Sequence, residues 1–169
     1  MPSHFDLIIT ADYPSRTAEF RLLDVHGAPL AFRQTDFKTI SAGHLHGLFD
    51  LRNFLRTYVE EGREAAAVAQ IGVCIAEEVL GKEIFERLRA SESQRTLRIQ
   101  LPGATEEENH LASALARVPW EIARIAADKQ TLGERNLLVR VVHDMQASAS
   151  QPVALARIAS QRSADLLFD

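Results

Sequence analysis

The sequence predicts an α+β fold in which an N-terminal antiparallel β-meander leads into helices packed on a mixed sheet. Three observations carry this. Residues 5–11, 18–25 and 30–37 are rich in strand formers and are joined by short turn clusters. Residues 41–90 then repeat apolar side chains at helical spacing. Finally, two later apolar runs, 96–101 and 137–142, are short enough to be strands and are separated by another helical stretch.

Taken in order, Tyr13-Pro14-Ser15-Arg16 and His26-Gly27-Ala28-Pro29 are the turns of the meander, the cheapest topology for adjacent strands. Ser41 is the expected N-cap of one helix through Tyr58, in which Leu45, Leu48, Leu51, Phe54, Leu55, Tyr58 and Val59 recur at helical spacing and turn one face inward. Glu60-Glu61-Gly62-Arg63 ends it. A second helix over 64–80 lines up Val68, Ile71, Ile75 and Val79, while Ala65, Ala69, Gly72 and Ala76 permit close approach. Gly81 fits the left-handed position after that helix, and residues 82–90 restart with Ile84, Phe85 and Leu88 inward. Residues 96–101 alternate Leu97, Ile99 and Leu101 with Arg98 and Gln100, as in a sheet with one covered face. Thr105 with Glu108 has the form of a capping box, so a helix runs on to Ala116. Residues 133–136 read as a turn, and 137–142 as a strand covered on both faces. The body of the protein is residues 1–145. From residue 146 to 169 the composition shifts to Ala, Ser and Gln, which reads as a linker or tail.

The segment Arg117-Val118-Pro119-Trp120-Glu121-Ile122 holds the single tryptophan. Pro119 pushes Val118 toward extended geometry, so one helix stops near Arg117 and another starts with Pro119 at its first position. Trp120 then anchors a core corner. The order of elements here resembles the amino-terminal half of the CHAT domain, the caspase-like cysteine peptidase module related to separases and caspases. In that family a strand leads to a Leu-Pro-Trp-Glu segment and a helix, then to a strand carrying an arginine. Pro119, Trp120, Glu121 and Arg140 match, Val118 stands in place of the usual leucine, and the Leu80-Gly81 helix end is also similar. The resemblance covers most of residues 5–144 and implies a caspase-like half-domain.

The resemblance also implies what is missing. Peptidase members carry a His-Gly motif and a later catalytic cysteine on a second subdomain, and this chain stops before both. The expectation is a non-catalytic scaffold or regulatory part of a caspase-like (C14-like) cysteine peptidase, present as an excised or processed piece or a stand-alone remnant. Members of this type act in bacterial defence and cell death. Its partner would be the remainder of the CHAT domain or another protein module. The alternative is a self-contained α+β protein-interaction module with no peptidase link, in which Pro-Trp-Glu is an ordinary core corner.

The residues themselves show no complete catalytic set. Cys74, the single cysteine, lies between Val73 and Ile75 in a helix and reads as a small hydrophobe rather than a nucleophile. His44 and His46 diverge at a helix start, no carboxylate joins them at an obvious spacing, and no metal site is expected. No phosphate loop or nucleophile elbow occurs, so no cofactor is expected. Arg140, in an otherwise apolar run, marks an edge, a strand end or a buried pair, and Glu121 is the preferred partner. With 169 residues the chain can bury a real core, and its net charge of −4 makes nucleic acid a poor partner. A single cysteine and the lack of an apolar leader point to the reducing cytoplasm, and no run is long enough for a membrane span. The apolar residues Leu166, Leu167 and Phe168 are expected to dock on the body or on a second copy, giving a homodimer.

Overall fold

Alternation decides the sheet. In β1 (His4–Asp12) the side chains of Phe5, Leu7 and Ile9 are buried, with Asp6 and the half-buried Ile8 between them, and in β2 (Thr17–Leu23) those of Ala18, Phe20 and Leu22 are buried, with Glu19 and Arg21 between them. A computed structural model describes residues 4–90, 95–101, 110–126 and 130–142. With β3 (Pro29–Asp36) these strands form the expected antiparallel meander. β4 (Arg95–Leu101) then lies parallel to β1 on its other side, and β5 (Asn136–Val142) lies parallel to β4. The order is β3-β2-β1-β4-β5, a mixed sheet with β1 at its centre. Parallel neighbours need long crossovers, and the helices supply them.

Leu97, Ile99 and Leu101 of β4 are buried on the same alternation, and the fold is α+β. Arg98 and Gln100 take the other face with Asp6. β5 departs from expectation. Leu137 is 58% exposed and Leu138, Val139 and Val141 are only half-buried, so the strand is not covered on both faces. Among the described residues β4 is its one pairing neighbour, and an outermost strand has fewer elements to pack against.

The helix expected over 41–58 is two helices, α1 (Ala42–Phe49) and α2 (Leu51–Tyr58). Asp50 divides them. Its backbone N–H closes α1 on the His46 carbonyl at 3.0 Å, while its carboxylate caps α2 by accepting the Asn53 N–H at 3.1 Å. Aspartate offers the backbone this alternative to a continuous helix. Ser41 caps α1 as expected, its hydroxyl accepting the His44 N–H at 3.2 Å.

The second helix has the expected length but changes character midway. α3 (Glu64–Cys74) passes into a π-helical segment, Ile75–Val79, closed by a Leu80 N–H to Ile75 carbonyl bond of 2.9 Å. Gly81, at φ +77°, then turns the chain into α4 (Gly81–Arg89), the left-handed position its sequence predicts. The break leaves the Val79 carbonyl without a helical donor, and the buried Thr35 hydroxyl of β3 supplies one at 2.7 Å.

α5 (His110–Leu115) is the described part of the helix expected to end at Ala116; the Thr105–Glu108 capping box lies outside the described residues. The turn expected over 133–136 is instead the single-turn helix α6 (Leu132–Arg135), entered through a Thr-x-x-Glu capping box in which the Glu134 carboxylate accepts the Thr131 N–H at 2.7 Å. The division at residues 145 and 146, the tail and its docking also fall outside the described residues. Among the described residues no helix is long and apolar enough to cross a membrane.

Candidate functional site

The corner around Trp120 is built from its proline outward. Pro119 has φ −79° and ψ 72°, and the Trp120 N–H returns to the Val118 carbonyl at 2.9 Å. That is an inverse γ-turn. Pro119 is therefore the apex of a tight turn rather than the first residue of a long helix; only a 3₁₀ turn, Trp120–Ile122, follows before the backbone extends again at Ala123. Two longer-range bonds explain why the helix stops: the Arg124 N–H goes to Gly72 of α3 at 3.1 Å, and the Ala123 carbonyl accepts the Leu132 N–H of α6 at 2.8 Å. Backbone groups committed to neighbouring elements cannot continue a helix.

Trp120 is completely buried and meets Phe20 of β2 edge-to-face, with ring centroids 6.1 Å apart. Its indole N–H has no partner among the described residues. Arg140 of β5 reaches the same corner. One guanidinium nitrogen donates to both Glu121 carboxylate oxygens, at 2.7 and 2.8 Å, and also to the Val118 carbonyl at 3.2 Å. The other terminal nitrogen donates to the Ala116 carbonyl at 3.2 Å. The pair expected from the sequence forms, and the arginine in addition satisfies carbonyls at the end of α5, where a cation complements the helix dipole. The arrangement ties α5, the turn and β5 together. It presents no nucleophile.

A second polar cluster lies on the open face of the sheet. Arg98 donates through two nitrogens to the two Asp6 oxygens, at 2.7 and 2.6 Å, across the parallel β1–β4 pair. Gln100 donates to the same carboxylate at 3.3 Å, and the His4 Nε2 accepts from Arg98 at 2.9 Å. Burial raises the Asp6 pKa, but the hydrogen bonds from Arg98 and Gln100 and the Arg98 charge outweigh it, holding the carboxyl below its ordinary value.

A third cluster joins residues that the sequence presents far apart. His44 Nδ1 lies 3.1 Å from a Glu78 carboxylate oxygen, and the Cys74 thiol is close by, the three ligand atoms all within 4.8 Å of one another. His46, as expected, turns away and stacks on Tyr58 with centroids 5.3 Å apart. Cys74 is buried, and desolvation, then the charge and hydrogen bond of Glu78, push its thiol up to about 12. As it stands it is a protonated thiol at neutral pH, not a nucleophile. In the sequence His44 pairs with His46 and Cys74 stands alone; the four-residue spacing of Cys74 and Glu78 on one helix is the visible signal, and His44 comes from another helix. In comparisons with known proteins, no protein-family model matches the chain, and no curated protein matches it either.

Proposed function

We propose that the chain is the non-catalytic scaffold part of a CHAT-type caspase-like cysteine peptidase, acting in the cytoplasm and presenting the β5 edge to a catalytic partner module. The observation that supports it is the clamp of Arg140 on Glu121 and the corner carbonyls, which holds the outermost strand in a fixed position beside the Pro119-Trp120 turn. A strand whose outer edge is unpaired among the described residues, and whose Leu137 is exposed, offers backbone donors and acceptors to an added strand. The chain alone is expected to cleave no peptide bond. Incubation with a peptide library and a thiol-directed probe tests this, and specific turnover lost in Cys74→Ala would overturn it.

The partner is sought as a segment carrying His-Gly and a later cysteine, encoded in frame beyond Asp169 or in a neighbouring gene. Its binding, followed by titration calorimetry, is expected to weaken in Leu137→Asp, at the exposed position of the edge strand. Binding indifferent to that change sinks the reading. One observation favours the second reading, a self-contained interaction module: a groove of about 360 Å³ between α1 and α2, lined by Leu45, Phe49, Phe54 and Tyr58. Homodimerisation through the tail belongs to either reading, and light scattering of the full chain against one ending at Met145 decides it.

A further inference from the structure

We propose that His44, Cys74 and Glu78 form a Zn²⁺ site with an open fourth position. The inference is independent of the peptidase reading. An imidazole nitrogen, a thiol sulfur and a carboxylate oxygen converge from α1, the end of α3 and the π segment, the mixed N/S/O donor set that zinc accepts in tetrahedral geometry. Around such an ion neighbouring ligand atoms stand about 3.3–3.6 Å apart. The His44–Glu78 separation of 3.1 Å is already near that range, and the widest spacing, within 4.8 Å, closes with a movement of about 1 Å.

The local backbone suits the purpose. His44 sits in the first turn of α1, its N–H held by the Ser41 cap. Cys74 is the last residue of α3 and the π segment begins immediately after it, so Glu78 is displayed from a widened turn of the kind that recurs at functional sites. That turn is itself fixed, since the Thr35 hydroxyl holds the Val79 carbonyl next to Glu78. The sulfur is buried, while the His44 and Glu78 side chains are 38% and 42% exposed. The cluster thus has a closed floor and an open mouth. A metal bound there keeps a water molecule on its solvent side, which is the arrangement of catalytic rather than structural zinc. Coordination replaces the thiol proton, which passes to solvent.

The test uses the full chain, stripped of metal and titrated with ZnCl₂ and, as a spectroscopic substitute, CoCl₂. The expected result is one ion per chain and, with Co²⁺, a thiolate-to-metal charge-transfer band together with visible bands of a four-coordinate ion. Cys74→Ser should abolish the charge-transfer band. His44→Gln and Glu78→Gln, at half-exposed positions that leave the core intact, should each weaken binding by at least the roughly 10–100-fold that outer-shell changes cost. His46→Gln should bind as the parent does. Circular dichroism of each metal-free variant checks that it is folded. A Co²⁺ spectrum without the sulfur band, affinity unchanged in His44→Gln and Glu78→Gln, or equal loss in His46→Gln would each overturn the assignment.

Discussion

Replacing Trp120 tests the corner most directly, because the ring is wholly buried and its one polar atom has no partner among the described residues. Trp120→Ala removes the edge-to-face contact with Phe20 and leaves a cavity between β2 and the turn. Deleting a large buried aromatic costs about 3–5 kcal/mol, against a total domain stability of about 5–15 kcal/mol. For a chain of this length that corresponds to a fall in melting temperature of about 6–20 °C. Trp120→Phe should behave differently. It forfeits part of the packing but also removes a buried donor whose desolvation costs about 1–3 kcal/mol, so the two effects nearly cancel. Urea unfolding followed by far-ultraviolet circular dichroism measures both variants, since the parent's fluorescence probe is the residue being changed. In the parent, emission from this single tryptophan should be blue-shifted and move to the red on unfolding. If Trp120→Ala unfolds within about 0.5 kcal/mol of the parent, the size of an ordinary surface change, the core-anchor argument fails.

Further outcomes follow from the same geometry. Arg140→Ala should destabilise more than Glu121→Ala, because it also strips donors from the Ala116 and Val118 carbonyls; with side chains 35% and 46% exposed, the charge pair itself contributes no more than about 1 kcal/mol in a double-mutant cycle, and a larger coupling would contradict this. Asp6 is held below its ordinary pKa in the folded state, so the stability it contributes is complete above the unfolded carboxyl value and drains away as pH falls through the folded one. Asp6→Asn should accordingly flatten the acid limb of the stability curve, read by urea unfolding at a series of pH values; an unchanged acid limb would mean that the Arg98 fork contributes nothing. Gly72→Ala should destabilise by about 1–3 kcal/mol, because a Cβ there would collide with the Ile122 carbonyl oxygen, and a thermal melt equal to the parent's would refute the close approach of α3 to the turn.

What the sequence alone determined was local. The meander was legible because runs of strand formers and turn clusters lie within a few residues of each other, and Ser41, Gly81 and the alternation of Leu97, Ile99 and Leu101 were legible for the same reason. The Glu121–Arg140 pair could be guessed because an arginine in an apolar run needs a partner. Tertiary contacts decided the rest. Asp50 could serve as either a helix residue or a cap, and only the structure shows it closing α1 and opening α2. Pro119 could start a helix, but bonds from Arg124 to Gly72 and from Leu132 to Ala123 draw the backbone away. Thr131 and Glu134 did spell a capping box, which the glycine between them obscured. The exposure of β5 depends on its place at the end of the order β3-β2-β1-β4-β5, a property of the whole sheet. The meeting of His44 with Cys74 and Glu78 belongs to the same class: propensity and periodicity act over a few residues, whereas this cluster is assembled by helices brought together through packing across 30 and more residues of chain.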